Sequence, residues 1–134
     1  MRLLSAFGIV AGLAILAGSA NAQKISPQLL GSKAIEAITG STISFIGNDS
    51  VQFVMFIAAD HTVDMLKKKP QQKNERSTFE WSSNKAGQLC VARETPCYTI
   101  KVYGVRGLIG GGDKELFSFN IEPGNQVDAY AAKD

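Results

Sequence analysis

From Ser41 onward the chain is written in short runs of period two, broken every few residues by glycine, asparagine, aspartate or proline. This pattern limits the fold more than any other feature. Side chains of a strand alternate between two faces, so an apolar-polar alternation buries one face and wets the other. Residues 42–46, 51–58, 62–66, 77–82, 88–92, 97–103 and 115–121 read as strands. The glycine-rich stretch 104–113 could add a short strand through Val105, Leu108 and Ile109. Gly47-Asn48-Asp49-Ser50 has hairpin chemistry, because glycine and asparagine tolerate positive φ. Phe79 and Trp81 share one face, as do Tyr98, Ile100 and Val102, and Phe117, Phe119 and Ile121.

Residues 51–57 are apolar on nearly both faces, so this strand needs a cover on its second side. The predicted cover is a short helix within 23–40. Ser26-Pro27 would start it, Leu29, Leu30, Ala34, Ile35 and Ile38 would form its apolar face, and Gly40 would stop it. Gly31-Ser32 weakens the middle, so the regular part would begin at Lys33. Residues 67–76 read as a solvated loop. Pro123-Gly124-Asn125 ends the sheet, and the tail from Gln126 is expected to be loosely held. The fold class is therefore mainly β (α+β). It is an antiparallel meander of six to seven strands forming a strongly curved sheet or small barrel, with a short N-terminal helix covering an open end or face.

Before this domain stands a leader. Arg2 gives a positive start, Leu3 to Ala17 is apolar except at Ser5, Gly8 and Gly12, and Ala20-Asn21-Ala22 offers small residues for cleavage. This is the three-part pattern of a secretory signal peptide. The run is shorter than the roughly 20 residues of a spanning helix. Residues 1–22 are thus expected to be removed near Ala22, leaving 23–134 as a single periplasmic or secreted domain. Fourteen basic against twelve acidic residues give no concentrated basic surface for nucleic acid.

Cys90 and Cys97 are the two cysteines. In an oxidising compartment a pair so close in sequence is expected to form one disulfide. Loop closure would make it worth about 2–3 kcal/mol. Neither a redox spacing nor a metal-ligand set surrounds them, so no metal and no cofactor is predicted.

Taken in order, the helix, Gly40-Ser41-Thr42-Ile43, the hydrophobic strand, Ala59-Asp60-His61-Thr62-Val63, Phe79-Glu80-Trp81, Gly87-Gln88-Leu89-Cys90, Cys97-Tyr98 and Pro123-Gly124-Asn125 form a sequence of motifs. In these the chain resembles small exported proteobacterial β-rich proteins of unknown function. The resemblance implies a β-rich exported fold and carries no active site.

The residues offer few chemical groups. His61 is the lone histidine, and no Gly-x-Ser-x-Gly elbow accompanies it. A turn histidine is the simpler reading. Gly110-Gly111-Gly112-Asp113-Lys114 lacks the phosphate-loop pattern and reads as a hairpin loop. Lys67, Lys68 and Lys69 could touch anionic headgroups at a membrane surface, although a solubilising loop accounts for them. Asp60, Asp64, Glu80 and Glu94 are too scattered to set up an acid/base pair.

Aromatic residues carry the best case for binding. If the sheet closes incompletely, Phe53, Phe79, Trp81, Tyr98, Phe117 and Phe119 are candidates to line a cavity. The functional expectation is a non-catalytic exported binding or interaction module whose partner is an apolar small molecule or an envelope protein. The alternative is a small inhibitor or envelope-protecting protein acting through the constrained loop Arg93, Glu94, Thr95, Pro96. A hydrolase ranks last, for want of a nucleophile with a base.

Overall fold

The computed structural model describes residues 28–92, 97–111 and 116–133. Among these, nine strands follow in chain order: β1 (Gln28–Leu30), β2 (Ser41–Ile46), β3 (Gln52–Ile57), β4 (Thr62–Lys68), β5 (Glu75–Ser83), β6 (Leu89–Val91), β7 (Tyr98–Tyr103), β8 (Arg106–Gly111) and β9 (Phe117–Pro123). Helix α1 (Ser32–Ile38) separates β1 from β2, and α2 (Val127–Ala131) follows β9. From β2 to β9 each strand pairs antiparallel with the next, and β9 returns to β2 with Ile43 opposite Ile121. Eight strands thus close an up-and-down barrel, which removes the exposed edges of an open sheet. β1 is an extra strand laid along β7, with Leu29 opposite Val102.

The count exceeds the six to seven strands predicted, for local reasons. Leu29 and Leu30 belong to β1 rather than to the helix, because Gly31 at φ 60° turns the chain between the two elements. The glycine-rich stretch makes a complete strand, β8, paired to both β7 and β9. Its Gly107 admits the Phe119 ring, since a Cβ there would lie 2.3 Å from the ring tip. β4 and β5 also run further than predicted. Lys67 pairs with Phe53 on one side and Glu75 on the other, which shortens the solvated loop to 69–74.

Alternation decides what faces inward. Ile43, Met55, Ile57, Val63, Trp81, Leu89, Val91, Ile100, Val102, Ile109 and Phe119 are buried in one cluster inside the barrel. Ala34, Ile35 and Ile38 of α1 join that cluster. The helix therefore plugs the barrel end from which β2 starts. Gly40, at φ 85°, ends the helix, and its N–H donates to the Ile57 carbonyl.

The second face of β3 has a different cover from the one predicted. Val54 and Leu66 point outward and are buried by Val127 of α2, with Phe56, Tyr130 and Ala131 packed around them. The tail is accordingly docked rather than loose. Thr42 Oγ1 donates to the Gly124 carbonyl at 2.7 Å and accepts from the Gln126 N–H at 2.8 Å. Lys68 Nζ donates to the Tyr130 carbonyl at 2.8 Å. Arg76 bridges Asp64 on β4, at 2.8 Å, and Asp128 on α2, at 2.6 Å. The Tyr130 hydroxyl donates to Glu122, which raises its pKa. A single helical turn has little stability of its own, so these contacts hold it.

The β2–β3 hairpin forms, but positive φ falls on Asp49 and Ser50, at 61° each, and not on Gly47 or Asn48.

Candidate ligand cavity

The barrel end opposite α1 is open. There the late residues of β2, β4, β6 and β8 meet the early residues of β3, β7 and β9 and the middle of β5 around a cavity of about 500 Å³. An eight-stranded barrel has an interior that side chains can fill or that can hold one small ligand. In this barrel the plugged end is filled and the mouth is not.

Phe45, Phe53 and Phe117 build one wall. Phe45 stacks on Phe53 with centroids 5.1 Å apart and on Phe117 at 6.2 Å. Phe53 and Phe45 are direct cross-strand partners, an arrangement in which aromatic pairs stabilise a sheet. Phe79 and Tyr98 face the cavity from β5 and β7, and Met55, Met65 and Ile109 line its depth. Opposite Tyr98, β8 presents Gly111, which has no side chain to fill the space. The glycines of β8 thus have a physical role distinct from phosphate cradling. Residues 112–115 lie outside the described residues.

Polar groups sit at the rim. Asn48 and Asp49 come from the β2–β3 turn. Lys67 is the next inward position of β4 after Met65, and its Nζ lies 5.8 Å from the Phe53 centroid, a cation–π contact.

Of the six aromatic residues singled out from the sequence, Phe53, Phe79, Tyr98 and Phe117 line this cavity. Trp81 and Phe119 do not. They stand in the packed part of the barrel, 7% and 1% exposed, with the Trp81 indole N–H donating to the Ala58 carbonyl at 2.8 Å. Phe45, another of the strand aromatics, also lines it, and so do Met55, Met65 and Lys67, which sequence reasoning did not place there. The signal was available in part, since period two along β3 and β4 puts Met55 with Phe53 and Lys67 with Met65.

The other candidates separate. Cys90 and Cys97 are joined in a disulfide. It lies beside the mouth, because their chain neighbours Val91 and Tyr98 line the cavity. Arg93, Glu94, Thr95 and Pro96 lie outside the described residues, as does the predicted leader, residues 1–22. The three lysines do not share a surface. Strand alternation sends Lys67 inward and Lys68 outward to the end of α2, while Lys69 pairs with Glu75.

His61 stacks flat on Trp81, with centroids 4.1 Å apart, and its Nδ1 lies 3.2 Å from the Trp81 carbonyl. It occupies a turn at φ 71°, a conformation that favours glycine, and the indole stack supports it there. Asp60 is turned away to Thr62, whose hydroxyl and N–H hold its carboxyl below the usual carboxylate range. These two residues therefore do not form a base and its orienting acid. Asp64 is likewise held low by its hydrogen bonds from Arg76. Among the described residues no cluster of His, Cys, Asp and Glu is arranged to hold a metal ion.

No protein-family model, no curated protein and no solved structure matches this chain. What it can do must therefore be argued from the cavity, which has the size of a small-molecule site, apolar walls and a few polar groups at one edge.

Proposed function

We propose that this chain is a non-catalytic binding module, exported to the periplasm or beyond, that holds an apolar small molecule in the mouth of its barrel. The observation that carries the reading is the contrast between a sealed end and a cavity of about 500 Å³ with aromatic and methionine walls. Small-molecule sites typically span about 300–1,000 Å³ and are lined mainly by apolar side chains with a few polar groups that orient the ligand. The leader and the disulfide support the compartment, since a Cys90–Cys97 bridge persists where thiols are oxidised.

The test is native mass spectrometry of the full chain, expressed with its leader in an exporting bacterium. The expected result is a polypeptide beginning at Gln23, two mass units lighter than its reduced form, that carries a non-covalent apolar adduct. The delipidated protein should then bind a fluorescent apolar probe with one-to-one stoichiometry. Failure of the probe to bind the folded protein would overturn the cavity reading. An intact leader would overturn the cleavage.

A further inference from the structure

We infer that the cavity takes a single-chain fatty carboxylate, its acyl tail among the mouth aromatics and methionines and its carboxylate on Lys67. This rests on the apolar-cavity reading and deepens it by naming the ligand class.

Along the inner face of β4 the sequence runs Val63, Met65, Lys67, from the buried core to the rim. A lysine at an inward position of an otherwise apolar row brings one positive charge to the edge of an apolar chamber. Alternation fixes it there. Its neighbour Lys68 points outward and donates to the carbonyls of Tyr130 in the C-terminal helix and of Lys133 just beyond it.

The Lys67 ammonium lies over the Phe53 ring, 5.8 Å from its centroid. That places the charge beside the aromatic wall where the polar end of a buried chain would emerge. Lys67 is a half-buried residue, and a charge so placed is less screened than that of a fully exposed one.

Lys69 is committed to Glu75 and Arg76 to Asp64 and Asp128, whereas no ion pair engages Lys67 among the described residues. The lining also contains one acid, Asp49, on the exposed turn between β2 and β3. Glu75, opposite Lys67 across β4 and β5 and within electrostatic reach of it, is bonded to Lys69. One half-buried cation with one exposed acid in the same lining favours a head of a single negative charge over a dianion. A monoanionic carboxylate meets that condition, and a lone ammonium recognises it as a point charge.

The walls bear on the tail. Met55 and Met65 are unbranched and polarizable, which suits a flexible chain better than a rigid ring system.

Calorimetric titration of the delipidated full chain with dodecanoate, 1-dodecanol and dodecylammonium below their micellar concentrations tests this. Dodecanoate should bind about five-fold more tightly than the alcohol, and dodecylammonium least. Lys67→Gln should erase the preference for dodecanoate over the alcohol, and binding of the alcohol by the variant reports that the cavity is intact. Lys67→Arg should retain the preference, and Asp49→Asn should strengthen it. Equal binding of acid and alcohol by the unmodified protein, or a preference that survives Lys67→Gln, overturns the headgroup assignment and leaves the cavity reading standing. Tighter binding of the ammonium overturns the assignment in favour of Asp49. No binding of any of the three by folded protein overturns both.

Discussion

The two ends of this barrel are built from the same eight strands and obey the same alternation, yet one is solid and the other hollow. At the closed end β-branched and aliphatic side chains interlock with Ala34, Ile35 and Ile38 of α1, and nearly every member is fully buried. At the mouth the inward positions carry larger aromatic rings that stack along one wall, with glycine opposite Tyr98. Closure of a sheet therefore does not decide whether its interior is a core. The decision lies with what enters from the ends and with the size of a few inward residues.

The contrast can be broken by substitution. Ile38→Ala should be the most damaging change, costing about 2–5 kcal/mol in urea unfolding, because the side chain is fully buried and little can collapse into the void. Converting Cys90 and Cys97 together to serine should cost about 2–3 kcal/mol. It should act on the mouth, where a covalent bridge does part of what packing does at the other end. Phe53→Ala should cost less, about 1–2 kcal/mol, since the ring is only partly buried and loses mainly its stack on Phe45. The same change should weaken uptake of an apolar probe. A mouth variant as destabilising as Ile38→Ala would mean that both ends are core.

The smallest effect concerns pH and the outer strap. Asp64 is held below its ordinary carboxylate range by Arg76, so its ionised form stabilises the fold. That stability is present above the unfolded-state pKa and is lost as pH falls through the lower folded value. Arg76→Ala should lower the melting temperature slightly at pH 7, and the difference from the unmodified protein should vanish on acidification. High salt should shrink it as well, because the pair is partly exposed.

Much of the fold was legible because period two states directly which residues face inward. Tyr98, Ile100 and Val102 on β7 follow it without exception. Two elements, β1 and α2, escaped, and β8 was legible only as an optional short strand, each for a physical reason. β1 is too short for alternation to register, and two adjacent leucines before a helical pattern read as more helix. β8 hides its face behind Gly107 and Gly111, whose value lies in the room they give their neighbours. α2 is one turn long and follows Pro-Gly-Asn, a combination that marks an ending. Its Val127 matters only because Val54 and Leu66 stand uncovered on the opposite surface. The cavity was legible as a set of aromatic residues but not as a place. Whether Phe79 lines a void while Trp81 fills a core depends on their distance from α1, which no run of neighbouring residues records.

The pairing of β9 with β2 has one more consequence. The ring is completed by its earliest and latest strands, whose partners stand some 80 positions apart, as with Ile43 and Ile121. Contacts of such long range are slow to form, because the chain between must first be ordered. A polypeptide delivered from its N-terminus, by a ribosome or through a pore, stays an unfinished ribbon with two exposed borders until its last segment arrives. Its vulnerability to proteases and to self-association is therefore concentrated in that interval, and shortening the wait for β9 would protect it more than strengthening any earlier hairpin.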